Sequence, residues 1–105
     1  MDSQIKRGLL DVSVLSAIKD APSYGYQIIK DMSPYMEISE STLYPILRRL
    51  ETQNMLTVKT AVHNGRLRKY YYITALGLKR LGEFENDWQE ILAIYNFVNR
   101  KGREK

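Results

Sequence analysis

Cysteine is absent from this chain, and histidine and tryptophan occur once each among its 105 residues. Without cysteine there is no disulfide, no thiolate metal site and no cysteine nucleophile. The single histidine, His63, stands beside the turn-forming pair Asn64-Gly65 and has no cluster of metal-ligand spacing around it. No glycine-rich phosphate loop appears, and no nucleophile has a base near it in sequence. Catalysis, a metal and a cofactor are therefore not expected. Long apolar runs are missing too, so nothing approaches the roughly 18 residues of a membrane span. The stretch "IKRGLLDVSVLSAI" begins with a basic pair before an apolar run, as secretion signals do, but Asp11 interrupts it and no small-residue cleavage site follows. Low-complexity tracts, repeats and linkers are also lacking. The expectation is a soluble cytoplasmic protein without a membrane partner.

What is present is a globular composition, 44% hydrophobic and 27% charged, with a net charge of +4. The charge is unevenly placed. Residues 56–73 carry four basic side chains and no acid, and residues 100–105 carry four basic and one acidic. The first 55 residues hold six basic and seven acidic side chains, and residues 74–99 hold two and four. The positive field therefore sits in one internal segment and in the tail, an arrangement that favours an acidic partner.

Periodicity predicts a first helix from about Ser3 to Asp20, ended by "DAPS", because Pro22 disfavours helical geometry in the residue before it. Ser23 is the expected N-cap of a second helix, "YGYQIIKDM", closed by Ser33-Pro34. In the third, Leu43, Ile46, Leu47 and Leu50 fall at i, i+3, i+4 and i+7, one buried stripe, while Ser41, Pro45, Arg48, Arg49 and Thr52 point away. Ser39 is its expected cap, Pro45 lies near its beginning, and Asn54 suits a left-handed stop. "MLTVKTAV" then alternates as a half-buried strand, and Asn64-Gly65 marks a hairpin into "RLRKYYYIT". Tyr71 and Ile73 would share one face of it, and Tyr70 and Tyr72 the other.

A last helix capped by Thr74 is expected to reach about Arg100. Leu81, Phe84, Trp88, Ile91, Tyr95 and Val98 recur on it at alternating steps of three and four, an a/d seam. A helix of about 27 residues is about 40 Å long, more than so small a core can cover. It reads as a dimerisation helix, joined in the interface by Leu9 of the first helix. The fold class is thus mainly α with a small β-hairpin (α+β): three helices, a basic hairpin and a long helix, the order of a winged helix-turn-helix.

Nucleic-acid binding is the chemistry this order suits. A helix in the major groove must offer outward groups for base edges and phosphates, and Ser41, Thr42, Tyr44 and Arg48 do so. Arg66, Arg68 and Lys69 on the hairpin would neutralise backbone charge beside it. The plainer reading of each feature alone is a solvated helix face and a basic loop.

"SYGYQIIKDM", "STLYPILRRLE" and "GRLRKYYYITALGLKRL" resemble the signature stretches of the PadR family of bacterial transcriptional regulators, and "RGLLDVSVLSAI" resembles that family's first helix. The resemblance implies a winged helix-turn-helix over 1–73 and a dimerisation helix with a basic tail over 74–105. It also implies a homodimeric repressor on a near-palindromic operator in double-stranded DNA. With one helix after the wing, the chain is similar to the short subfamily. Asn54 stands where the family often has glycine, and Leu67 where it often has proline. Carried over by position, Tyr24, Tyr26, Ser41, Thr42, Tyr44, Pro45 and Arg48 would lie at DNA, with Arg66, Arg68 and Lys69 at phosphates or the minor groove. Gly25 would allow close packing of the second helix. In some short members a tryptophan in the last helix lines a drug-binding pore, which would make Trp88, Asp87 and Phe84 an effector site for a flat aromatic or cationic molecule. The alternative for Trp88 is dimer packing, and for the whole chain a winged-helix module that binds an acidic protein.

Overall fold

The computed structural model describes residues 1–102, so the last three residues of the expected basic tail, Arg103, Glu104 and Lys105, lie outside the described residues. The elements run α1 (Ser3–Ala17), α2 (Gly25–Met32), α3 (Glu40–Thr52), β1 (Leu56–His63), β2 (Arg66–Ile73) and α4 (Ala75–Val98). They make four helices and a two-stranded antiparallel hairpin, the winged-helix order expected.

The Asp2 carboxylate opens α1 by accepting from the backbone N–H groups of Gln4 (2.9 Å) and Ile5 (3.2 Å). The helix stops at Ala17, short of the expected Asp20, because the chain has to become extended before α2. Ser23 is the reason. Expected as the cap of α2, it forms a β-bridge with Tyr71 instead: its N–H donates to the Tyr71 carbonyl (3.2 Å), and its own carbonyl accepts from the Tyr71 N–H (2.8 Å). The cap position passes to Tyr24, which offers no side-chain bond. Ser23 thus acts as a one-residue third strand that ties the start of α2 to the hairpin.

All four stripe residues of α3 are buried, and with Val14, Leu15, Ile18, Ile28, Leu56 and Tyr71 they make one core. Ser39 caps α3 by accepting from Thr42 N–H (3.3 Å). Pro45 stands six residues into the helix rather than at its opening, so the Ser41 carbonyl is left without its i+4 donor on an exposed surface. Arg49 also departs from expectation. It sits at the margin of the apolar stripe and turns inward to pair with Asp11 of α1.

Asn54 ends α3 with a φ of 61°, the left-handed stop expected. Asn64 (φ 51°) and Gly65 (φ 77°) turn the hairpin, so His63 faces Arg66 and each earlier pair follows, down to Leu56 opposite Ile73. Positive φ at both central residues is the type I′ turn whose twist matches the strands. Thr74 then links hairpin and last helix. Its hydroxyl accepts from Gly77 N–H (3.1 Å) and donates to the Asn54 carbonyl (2.7 Å).

Gly77 is pressed against that junction. A Cβ there would strike the Met55 carbonyl oxygen and lie 2.7 Å from the Ile73 side chain. Backbone cannot swing aside as a side-chain tip can, so Gly77→Ala is expected to lower stability by about 1–3 kcal/mol, the cost of overpacking. Denaturant unfolding of the two proteins measures it.

Past this junction α4 leaves the body, and the molecule extends 72 Å along its longest axis against 27 and 22 Å across. Leu81 and Phe84 are half-buried against the body, and the rest of the seam is not. Trp88 is 45% exposed, Ile91 49% and Val98 73%. Leu92, Ile94 and Phe97 are exposed as well, so the last turns are apolar around most of their circumference.

Candidate nucleic-acid interface

Short hydroxyl side chains gather at the start of α3. The Ser39 hydroxyl lies 2.9 Å from that of Ser41 and 3.2 Å from that of Thr42, which limits their rotation. Ser41, Thr42, Tyr44, Pro45 and Arg48 are all exposed. Arg48, Arg66, Arg68 and Lys69 make no ion pair, since Arg49–Asp11 is the one such pair among the described residues. Four exposed or half-exposed cations without an acidic partner, three of them on one strand, favour an anionic ligand.

Tyrosines join this helix to the wing. The Tyr44 hydroxyl lies against Gly25, where any Cβ would collide with it. The close approach expected of Gly25 is therefore made to a side chain of α3. Tyr24 meets Tyr70 edge to face, ring centres 5.8 Å apart, and the Arg68 guanidinium stacks 3.8 Å from the Tyr24 ring centre. Such stacking stabilises by about 0.5–2 kcal/mol, depending on its exposure, and it holds wing and α2 together. Tyr24 is accordingly half-buried, whereas Tyr26 is 67% exposed.

Tyr24, Tyr26, Tyr44, Arg68 and Lys69, five of the ten residues singled out for DNA, line one cleft of about 320 Å³. Arg66 does not reach it and borders the wing tip beside His63 and Asn64. The register explains the separation. Arg66 pairs with His63 at the turn end of the ribbon, whereas Arg68 and Lys69 stand opposite Ala61 and Thr60, nearer the body, though on alternate faces of the strand. Ser41, Thr42, Pro45 and Arg48 stay on the open surface of α3.

Besides Gly25, two cleft residues, Leu67 and Tyr71, are absent from the set that the sequence singles out for DNA. Leu67 lines it though 76% exposed, and Tyr71 forms part of its wall. Burial pushes the Tyr71 hydroxyl above its ordinary 10.0, and Tyr44 and Glu51 act in the same direction against Arg48. It stays a neutral donor at physiological pH. The tyrosine run had been expected to serve sheet packing, and a packing residue with a polar tip at a cleft carries no separate signal in sequence.

The residues expected to hold an effector are divided. Phe84 lines a second cleft, of about 510 Å³, between α1 and α4, together with Leu9, Val12 and Leu81. Trp88 and Asp87 lie farther along α4 and are not part of it. Among the described residues no group of His, Cys, Asp or Glu could hold a metal ion, and no helix is long and apolar enough to cross a membrane.

Comparison with known proteins accounts for this arrangement. Residues 14–83, from α1 into α4, match the transcriptional regulator PadR-like family. A transcriptional regulator of Mycobacterium tuberculosis is 28% identical over 89 residues, 84% of this chain and 83% of that protein. The crystal structure of a PadR-like transcription factor from Bacteroides fragilis superposes with a TM-score of 0.82 at 32% identity, over 91% of this chain and 95% of that one. A PadR family regulator from Eggerthella lenta gives 0.78 at 34%, over 94% and 85%. The expected family and fold are thereby met, and a regulator rather than an enzyme is what the family comprises. These relatives share the winged-helix fold described above, and the chain belongs to the PadR-like family of transcriptional regulators.

Proposed function

We propose that this protein is a cytoplasmic repressor that binds a near-palindromic operator as a homodimer. In this reading α3 enters the major groove, presenting Ser41, Thr42, Tyr44 and Arg48 to base edges and phosphates. The wing follows the backbone with Arg66, Arg68 and Lys69, and Tyr24 and Tyr26 stand between them. The exposed apolar end of α4 makes the second half of the argument. Two copies clamped there, with Leu9, Leu81, Phe84, Trp88, Ile91, Tyr95 and Val98 in the interface, would hold two α3 helices about 34 Å apart, one turn of DNA. The observation that carries the proposal is the cleft itself, where residues from α2, α3 and the wing converge beside unpaired cations.

The test begins by letting the protein select duplexes from a randomised pool. A selected inverted repeat bound with a steep salt dependence supports the regulator. No selected sequence, or binding indifferent to salt, supports the protein-interaction module instead. Release by a small aromatic or cationic molecule between paired Trp88 side chains extends the proposal. A planar cationic dye is expected to free the selected duplex from wild type and not from Trp88→Ala, as measured by gel shift. Equal release from both would remove Trp88 from the response.

A further inference from the structure

Asp11 is the one charged residue in the apolar run of α1, and Arg49 is the one basic residue of α3 that turns inward. The two meet across 38 residues of chain, the Arg49 guanidinium donating to the Asp11 carboxylate, with side chains 22% and 19% exposed. Arg49 Nε is buried without any partner, so Asp11 alone compensates this guanidinium. Taking both charges out of water costs much of what their attraction returns, and apolar residues of similar volume often do as well for stability. What an ion pair adds is direction. The bond from one guanidinium nitrogen to one carboxylate oxygen weakens steeply when turned off line, whereas an apolar stripe such as Leu43, Leu47 and Leu50 tolerates small rotations.

The direction matters because of what lies on either side. Arg48, next along α3, belongs to the exposed face assigned to DNA. Leu9, Val12 and Ser13, around Asp11 in α1, line the cleft that α1 shares with Leu81 and Phe84 of α4. The same turns of α1 therefore hold both the reading helix and the long helix.

We propose that Asp11 and Arg49 are positioning residues that fix the rotation of α3 against α1, and thereby the aim of Ser41, Thr42 and Arg48, without touching DNA themselves. The inference rests on the DNA-binding reading above. Its test uses the full chain with three variants: Asp11→Asn, the apolar double Asp11→Leu/Arg49→Met, and the reversed pair Asp11→Arg/Arg49→Asp. Each is measured for thermal unfolding and, by fluorescence anisotropy, for binding to the duplex wild type selects and to an unrelated duplex of equal length. The apolar double is expected to unfold near the wild-type temperature and to bind the unrelated duplex as wild type does. On the selected duplex it is expected to bind about tenfold more weakly, the worth of one misaligned base contact. Asp11→Asn should lose discrimination in the same sense, and the reversed pair should regain part of it. An apolar double that keeps the full preference for the selected duplex would overturn the proposal, as would equal weakening on both duplexes, which would mean that Arg49 contacts phosphate. Should wild type select no duplex at all, the DNA-binding reading fails first and this inference falls with it.

Discussion

With lysine in place of Ile91 and Val98, the protein is expected to sediment as a single copy and to bind its operator about 10²–10⁴-fold more weakly, the advantage of linking two binding units. Both positions lie on the α4 seam, seven residues apart, and both are largely exposed in the single chain. Neither supports the chain's own core, so the substitutions should leave the fold intact, which circular dichroism verifies. In a dimer they would place like charges across a two-fold axis, where the same surface meets itself. The expectation follows from area. Trp88, Ile91, Leu92, Ile94, Tyr95, Phe97 and Val98 form an exposed apolar surface on one short rod, and monomers rarely keep so large a patch in water. Sedimentation velocity at micromolar concentration decides. A variant that remains dimeric would place the interface elsewhere.

Neutralising the wing is expected to have the other large effect. Replacing Arg66, Arg68 and Lys69 together with glutamine removes three cations from each copy. If all contact phosphate, the dimer loses six, and the slope of log affinity against log salt should flatten by about five. Contacts of that number make a protein lose about a thousandfold in affinity between roughly 50 and 200 mM salt, so the variant should be weak and should keep only the salt dependence that Arg48 supplies. The three positions are not equivalent, which refines the expectation. Arg68 is stacked on Tyr24, so its loss also loosens the wing from α2, whereas Arg66 at the tip and Lys69 on the opposite face act by charge alone. Singly, Arg66→Gln and Lys69→Gln should reduce the slope equally and leave unfolding unchanged. Arg68→Gln should reduce it and lower the unfolding temperature as well. A triple variant with the wild-type slope would show that the wing does not meet phosphate.

Much of this architecture was legible before any coordinates. Asn54 and Asn64-Gly65 specified their turns because positive φ is a property of the residue and its immediate neighbours. Ser39 and Thr74 marked helix starts because capping is satisfied within three residues. The spacing of Leu43, Ile46, Leu47 and Leu50 identified the buried face of α3, and the α4 seam announced a rod longer than its own core. Those same neighbourhoods carry the motifs by which the family is legible.

Side chains whose partners lie far along the chain were not legible in this way. Ser23 looked like a cap and became a strand partner of Tyr71. Arg49 looked like part of an outward basic face and turned to Asp11. Tyr24 looked equivalent to Tyr26, yet one is bracketed by Tyr70 and Arg68 and the other is open. The sequence by itself determined which segments are helix, strand and turn, which face of each is apolar, and to which family they add up, because these depend on residues within a turn or two of one another. The tertiary structure alone decided which cations are free to meet a ligand, which tyrosines line the cleft and how much of α4 stands clear of the body, because an ion pair, a ring stack or a collision at Gly25 exists only once residues tens of positions apart are brought within a few ångströms.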